Sequence, residues 1–291
     1  PIAKDSIIKL EAAHIPCFST VESCADCISL FLSQTTVDQV QNHSDSVDPT
    51  EIDWAIKNIN TKTEARIGGI LNEVNSHPLF SAVGVAGPDQ VFIPTQDGIS
   101  EIASQRAREG GLCYPLVAKL VSSYLPHKSE HGAIILNIEN SAALSLAISK
   151  MLNTIQTSAQ DALIEGVLLQ EMVYGLGEAI VGLHRDNLVG PMITVGAGGV
   201  FTEIYKDISI RPAPVTLATA HKMIAEVKGF ASLRGYRGGP VTDLETLAQA
   251  ITAVSQLGKY EQIAEAEINP LLICEGKVVM VDSLIRIAAQ T

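Results

Sequence analysis

Short apolar runs that alternate with helix-type segments constrain the fold of this chain most. The runs at residues 116–121, 134–138 and 166–172 are each only a few residues long and rich in Val, Ile and Leu. Together with the segments between them, they predict an α+β or α/β fold with more than one sheet. Aromatic residues make up only 4% of the chain, and aliphatic runs of this kind favour parallel strands covered by helices.

The pattern predicts the secondary structure as follows. Helices are expected at 5–13, at a cysteine-containing segment ending at 32, and at 61–74, 100–109, 141–154, 217–227 and 243–257. Strands are expected at 14–18, 82–85, 91–94, 116–121, 134–138, 166–172, 179–183, 192–195, 201–205, 271–274 and 278–281. The helix at 61–74 is predicted from Thr61 and Glu64, which have the spacing of a capping box.

Three segments follow from this pattern. Residues 1–33 read as the α-β-α end of a larger unit, because their one strand has nothing to cover it. Residues 34–60 begin with a polar stretch rich in Gln, Asn, Asp, Ser and Thr and are predicted to be a linker. Residues 61–291 are predicted to form one globular unit.

Charge and composition exclude several classes of function. The net charge of −12 argues against a nucleic-acid partner, since phosphate backbones require clustered Lys and Arg. No apolar stretch is long enough to span a bilayer, and the first residues given lack the pattern of a signal peptide. Five cysteines in ordinary segments indicate a reducing cytoplasm. Cys24 and Cys27 form a C-x-x-C, but without a second pair at zinc spacing we interpret them as structural.

Lys119 stands inside the apolar run 116–121. A buried ammonium group must find a partner or face a cleft, because an unpaired buried charge is expensive. The alternative is that the lysine lies at a strand edge and extends to water.

Two loops could bind phosphate. Residues 126–132 hold His127, Lys128 and Ser129 between two predicted strands, and residues 195–200 are rich in glycine. Donor-rich loops and closely packed glycine backbone both suit phosphate oxygens. Either segment could equally be an ordinary turn or bulge.

A third group lies near the C-terminus. Glu267 and Asn269 are expected on one side of a strand, because side chains alternate. A hairpin turning near residues 275–276 would bring Asp282 beside them. Two carboxylates and an amide oxygen suit Mg²⁺, although a polar cluster at a sheet end would look the same. Together with the lysine and the two loops, they are the elements needed to bind a nucleoside triphosphate.

These residues resemble a known family. Residues 114–122, 127–132, 166–173, 182–186, 198–214, 237–238, 267–270 and 281–282 are similar, in order, to the ATP-grasp domain of NDP-forming acetyl-CoA synthetases, which are related to succinyl-CoA synthetase. The resemblance covers about residues 61–291 and implies an ATP-grasp fold of two lobes, with a hinge near residues 170–174.

The resemblance also implies roles for individual residues. Those expected to contact the nucleotide are Lys119, Glu171, Val173, Gly198, Gly199 and Arg211. Those expected to hold Mg²⁺ are Glu267, Asn269 and Asp282. Phosphoryl transfer would run through an acyl phosphate and a phosphohistidine on the CoA-ligase part. His127 would be a second phosphate carrier, Lys128 would neutralise the phosphate and Glu203 would lie beside the phosphates. The implied cofactors are Mg²⁺ and either ATP or GTP.

The implied reaction converts a small carboxylic acid, CoA and nucleotide triphosphate into acyl-CoA, nucleotide diphosphate and phosphate. Residues 1–33 resemble only the end of a flavodoxin-like CoA-ligase subdomain. CoA-binding and CoA-ligase domains are therefore expected in cis or on a separate subunit, in an oligomer. A second hypothesis is a regulatory ATP-grasp module fused to a protein acetyltransferase, and a third is a structural domain without activity.

Overall fold

The computed structural model describes residues 4–13, 15–18, 20–34, 49–61, 69–95, 98–122, 132–158, 164–199, 207–238, 241–242 and 244–288. Its helices are α1 (Lys4–Ala12), α2 (Val21–Gln34), α3 (Pro49–Thr61), α4 (Glu73–Ala82), α5 (Ile99–Glu109), α6 (Ser141–Ser158), α7 (Leu217–Glu226) and α8 (Glu245–Gln256). Its strands are β1 (Ile70–Leu71), β2 (Gln90–Pro94), β3 (Leu116–Val121), β4 (Ile134–Ile138), β5 (Gly166–Glu171), β6 (Gly177–Asp186), β7 (Gly190–Ala197), β8 (Ile208–Pro212), β9 (Ile263–Ile273), β10 (Val278–Met280) and β11 (Ser283–Ile287).

The chain divides into two compact units. One comprises residues 1–45 with 186–190, and the other comprises residues 46–185 with 191–291. In the first unit α1 and α2 form, but described residues 15–18 have no regular secondary structure. The strand predicted at 14–18 is therefore wrong over those residues, and the predicted α-β-α order is not observed there.

The larger unit contains a seven-stranded sheet in the order β1-β11-β9-β6-β7-β8, with β10 also paired to β9. Helices α3, α4, α7 and α8 contribute to a hydrophobic core with this sheet. Val181, Ile193 and Ile268 are fully buried in that core. Because side chains alternate along a strand, every second residue of the same strands faces away from it.

The same unit contains a four-stranded sheet in the order β2-β5-β3-β4. Residues of α5 and α6 form its hydrophobic core with Leu116, Ala118 and Leu120 of β3. Lys119 alternates with these residues and so lies on the other face of the sheet. The chain passes from this sheet to the seven-stranded one between Glu171, which ends β5, and Gly177, which begins β6, where the hinge was predicted.

The expectation of parallel strands is wrong. Each strand pair whose register the structure describes is antiparallel. Apolar runs indicate a strand that is buried on both faces, and here the two faces of β3 and β5 are both covered although the neighbours run antiparallel. Burial on both faces, rather than strand direction, produced the pattern.

The region around residue 61 also differs from the prediction. Thr61 ends helix α3 rather than opening a helix, and residues 70–71 form strand β1 where that helix was expected. Ile52, Ala55 and Ile56 of α3 are buried in the core, so part of the predicted linker 34–60 is a packed helix. The predicted strand at 82–85 is the end of α4 and a turn. The predicted strand at 201–205 lies outside the described residues.

Across the part of the chain that the structure describes, no helix combines the length and apolar character needed to cross a membrane.

Candidate functional site

Lys119 connects the two sheets of the larger unit. Its Nζ lies 2.6 Å from Oε1 of Glu73, at the first turn of α4, and it also donates to the backbone carbonyl of Val281. Both side chains are buried, with 6% of the Lys119 side chain and 2% of the Glu73 side chain exposed. Of the two alternatives left open by the sequence, the structure supports a paired lysine over one that extends to water.

The lysine belongs to a larger buried polar junction. Gln170 on β5 donates from Nε2 to the same Glu73 Oε1 at 3.0 Å and to Gln90 Oε1 at 2.8 Å. Gln170 is 2% exposed, and it lies opposite Val117 on the face of the sheet that carries Lys119. The four-stranded sheet thus supplies an ammonium and an amide to one carboxylate at the start of α4.

Glu73 was not recognised from the sequence. A glutamate in the first turn of a helix is common, since it stabilises the positive end of the helix dipole. Nothing near it in the sequence indicates that it pairs with a lysine 46 residues later. The only available signal was the need of Lys119 for a counter-charge.

The predicted cation ligands lie on β9 and directly before β11. Ser283 pairs with Ile268, so Asp282 lies opposite Asn269, and the Asn269 N–H donates to the Asp282 carbonyl at 3.1 Å. Glu267 lies two residues before Asn269 on the same face, and the Asn269 side-chain amide donates to Glu267 Oε1 at 3.3 Å. These three side chains face away from the core that holds Ile268.

The surface beside Glu267 is open. Gly182 of β6 pairs with Glu267, and a Cβ added at Gly182 would find only Glu267 Cγ and Oε2, both at 3.8 Å. The described residues hold no cluster of three His, Cys, Asp or Glu side chains suited to a metal. Two carboxylates and an amide oxygen nevertheless fit Mg²⁺, which ordinarily takes a few protein oxygens and completes its shell with water and phosphate oxygens.

A cavity of about 540 Å³ lies at the hinge. Its walls come from the loop before β2, the segment after β5 and the β9–β10 hairpin: Gly87, Pro88, Asp89, Glu171, Met172, Val173, Tyr174, Cys274, Glu275, Lys277 and Val279. Val173, Cys274 and Val279 form an apolar cluster in it. An apolar wall beside a few polar groups is typical of a pocket for a small planar ligand.

Glu171 and Val173 line this cavity as the prediction requires. The Glu171 carboxylate is already engaged, since Oε1 accepts from the Cys113 N–H at 2.7 Å. Tyr174, which is 67% exposed, donates its hydroxyl to Asn137 Oδ1 at 2.8 Å. That bond ties the hinge segment to β4 of the four-stranded sheet.

Burial affects two titratable groups near this cavity. It raises the pKa of the Cys274 thiol, only partly offset by Lys277, so the thiol stays protonated. It lowers the pKa of His77, whose Nε2 is buried without a hydrogen-bond partner among the described residues. His77 packs against the cavity loop, where a Cβ at Gly87 would lie 2.4 Å from Nε2.

The glycine-rich segment is described only up to Gly199. Gly198 donates its N–H to the Glu178 carbonyl at 2.7 Å, and a Cβ there would lie 2.6 Å from the Glu178 Cβ. Gly198 is thus required for close packing on β6, and its N–H is already used. Gly199 has a φ of +99°, which favours glycine, and open space around it.

The prediction that Arg211 contacts the nucleotide is not supported by its position. Arg211 pairs with Ile193 across β7 and β8 and therefore lies on the core face of the sheet, opposite to the face of Glu267. Its guanidinium pairs with Glu226 of α7 and donates to the Ile210 carbonyl at 2.8 Å. The hydrogen bond from Ser209, followed by Arg211, lowers the pKa of Glu226. Arg211 thus joins a helix to its strand.

The remaining predicted residues cannot be placed. His127, Lys128 and Glu203 lie outside the described residues. The segment Tyr236–Gly238 is a short 3₁₀ turn, and His184 is exposed on β6.

Two sheets joined by a hinge that bears a cavity, a buried lysine between them and a row of hard oxygen ligands are features of a nucleotide-binding class of protein. The chain belongs to the ATP-grasp domain family, whose model matches residues 62–287. This confirms the fold predicted from the sequence.

Within that family the chain is homologous to ADP-forming acetate–CoA ligases. It is 37% identical over 175 residues to subunit beta of acetate–CoA ligase [ADP-forming] I from Pyrococcus furiosus, covering 60% of this chain and 75% of the subunit. It is 36% identical over 217 residues to acetate–CoA ligase [ADP-forming] I from Archaeoglobus fulgidus, covering 74% of this chain. The chain spans only 30% of the length of that second relative.

A solved structure of an acetyl-coenzyme A synthetase is also similar to this chain. The chain is similar to the dinucleotide-forming acetyl-coenzyme A synthetase 1 of Candidatus Korarchaeum cryptofilum, solved in complex with coenzyme A, Ca-AMPCP and HgCl⁺. The two share 30% identity with a TM-score of 0.74, and the match covers 80% of this chain and 99% of that chain.

Proposed function

We propose that this chain binds a magnesium–nucleotide complex between its two sheets and transfers a phosphoryl group within an ADP-forming acyl-CoA ligase. The observation that carries the proposal is the register of β9 and β11, which places Asp282 opposite Asn269 on the face that also bears Glu267. Homology to ADP-forming acetate–CoA ligases supports the same reaction class.

The base of the nucleotide would lie in the hinge cavity. Its apolar wall of Val173, Cys274 and Val279 suits a flat aromatic ring. The ring edge would meet the backbone of the segment that begins at Glu171. The identity of the base, adenine or guanine, would be set by which backbone groups of that segment remain available.

The phosphates would extend from this cavity toward Lys119 and the cation ligands. Val279 lines the cavity, Lys119 donates to the Val281 carbonyl, and Asp282 is the next residue. One short stretch of chain therefore connects the three parts of the proposed site. Mg²⁺, when bound, would neutralise charge on the phosphate oxygens, and Glu267, Asn269 and Asp282 would hold it.

The chemistry on this chain would be transfer of the terminal phosphoryl group to an imidazole. We propose His127 as a phosphate carrier, Lys128 as its counter-charge and Glu203 as a group beside the phosphates. A neutral imidazole attacks the terminal phosphorus, the bond to the bridging oxygen breaks, and ADP leaves. The protein groups act mainly by positioning and by neutralising charge.

Acyl-CoA formation would require a partner. Two relatives are named as beta subunits of acetate–CoA ligases, which supports a partner on a separate subunit. We propose that this chain works with such domains, either in the same polypeptide or as a subunit of an oligomer, on a small carboxylic acid.

Reconstitution tests this proposal. The chain is combined with a CoA-ligase partner of the same family, and ADP release is measured with ATP, Mg²⁺, CoA and a panel of small carboxylic acids. ADP release that requires both CoA and an acid supports the function. ADP release that is the same without CoA and without an acid refutes it, and so does a rate of ADP release that never exceeds the rate of the partner alone.

A further inference from the structure

The Lys119 ammonium has a defined direction. It has three N–H donors, and Glu73 and the Val281 carbonyl accept two of them. Glu73 begins α4, which packs on the seven-stranded sheet, and Val281 lies between two strands of that sheet, β10 and β11. Lys119 itself comes from the four-stranded sheet. With two hydrogens fixed, the direction of the third is determined.

Glu73 is itself held in place. Gln170 donates to the same carboxylate oxygen that accepts from Lys119, and Gln90 in turn accepts from Gln170. Ser76 of the same helix turn contacts Ser283 Oγ at 2.7 Å, and Ser283 directly follows Asp282. The start of α4 is therefore attached on one side to Lys119 and on the other to the strand that carries a proposed cation ligand.

We propose that Glu73 is a positioning residue for nucleotide binding, which holds the Lys119 ammonium so that its third hydrogen is directed at the nucleotide phosphates. This inference rests on the proposed function, because it assigns a role within the same site. A buried carboxylate could instead serve only to balance the lysine charge. Charge balance alone would not require Gln170 to hold the Glu73 carboxylate, nor the Val281 carbonyl to hold the Lys119 ammonium.

A double-mutant cycle on nucleotide affinity separates these two roles. Calorimetry on the 291-residue chain would measure the Kd for Mg-ATP with wild type, Glu73→Gln, Lys119→Met and the double variant. We expect Glu73→Gln to weaken binding about ten- to hundredfold, as for loss of a hydrogen bond to a charged group. In the Lys119→Met background the same change should have little further effect, because Glu73 acts through the lysine.

Two controls accompany the cycle. Adenosine, which lacks phosphates, should bind wild type and Glu73→Gln equally. Glu226→Gln breaks the Arg211 pair on the opposite face of the sheet and should leave Mg-ATP affinity unchanged. If Glu73→Gln is too unstable to measure, Glu73→Asp takes its place in the cycle: it keeps the buried charge but draws the carboxylate back by one methylene, so it should weaken Mg-ATP binding if Glu73 positions Lys119 and leave binding unchanged if Glu73 only balances charge.

The proposal is overturned if Glu73→Gln binds Mg-ATP as tightly as wild type or more tightly, since the carboxylate then merely balances charge. It is also overturned if Glu73→Gln weakens binding equally with and without Lys119. Failure of wild type itself to bind Mg-ATP would refute the proposed function instead, so the two failures are distinguishable.

Discussion

Asn269 and Asp282 are joined through their backbones, with the Asn269 N–H donating to the Asp282 carbonyl at 3.1 Å. Because they lie opposite each other on antiparallel strands, their side chains extend from the same face of the sheet. The Asp282 carboxylate also accepts from the Ser283 N–H at 2.8 Å, which restricts its orientation. This pair gives the proposed cation site its geometry.

Asp282→Asn should remove most of the magnesium dependence of nucleotide binding. The amide keeps the size of the side chain and an oxygen that can accept from Ser283, but it lacks the negative charge that attracts Mg²⁺. We expect Mg-ATP affinity to fall at least tenfold, toward the affinity measured with EDTA. Titration of Mg²⁺ at fixed ATP gives the comparison.

Glu265→Gln is the matched control for that variant. Glu265 lies on the same strand and face as Glu267, but its carboxylate pairs with Arg286 at 3.0 Å. Glu265→Gln should leave the magnesium dependence of ATP binding unchanged, because Arg286 already neutralises the Glu265 carboxylate. If Asp282→Asn and Glu265→Gln reduce the magnesium dependence equally, the overall negative charge of this face, rather than the position of Asp282, attracts Mg²⁺.

Gly198→Ala should distort the glycine segment. The new Cβ would lie 2.6 Å from the Glu178 Cβ and 3.0 Å from its carbonyl carbon, so backbone must move and the melting temperature should fall by several degrees. Gly182→Ala, where the nearest atoms are at 3.8 Å, should melt like wild type. Equal melting temperatures for all three proteins would contradict the packing described here.

His127→Ala tests the proposed phosphate carrier. In the complete enzyme it should abolish acyl-CoA synthesis, because the imidazole supplies the nitrogen that accepts the phosphoryl group. Mg-ATP binding by the chain should stay within about twofold of wild type, as expected when only a group that acts in the transfer step is removed. Unchanged acyl-CoA synthesis would show that His127 is not a phosphate carrier.

His77 should make the stability of the chain depend on pH. Burial lowers its pKa below the ordinary 6.5, so below about pH 6.5 the unfolded chain binds more protons and stability is lost as pH falls from there through the lower pKa of the folded state. His77→Gln should flatten this dependence by less than about 1.4 kcal/mol per pH unit, the limit for one proton. Urea unfolding at pH 5, 6, 7 and 8 provides the measurement, and identical slopes would refute the assignment.

The sequence predicted the arrangement of the cation ligands better than the buried polar junction around Lys119. The hairpin near residues 275–276 and the position of Asp282 beside Asn269 followed from strand alternation, a local rule. The partner of Lys119 did not, because Glu73 belongs to a distant helix and has the appearance of an ordinary first-turn residue. Long-range pairs leave little trace in one sequence.

Two other differences have similar causes. Arg211 has the charge that phosphate prefers, but the register of β7 and β8 turns it toward Glu226. The helix α3 begins in a polar stretch that reads as a linker, yet Ile52, Ala55 and Ile56 give it a buried face once the core is present. In both cases tertiary packing, rather than local composition, decides the outcome.

Calorimetric titration of the isolated chain with ATP, in the presence of Mg²⁺ and again with EDTA, tests the central claim most directly. We predict one binding site per chain, with affinity that falls strongly when Mg²⁺ is removed and when Lys119 is replaced by Met. Absence of heat with both ATP and GTP in the presence of Mg²⁺, from a folded chain, would contradict the account.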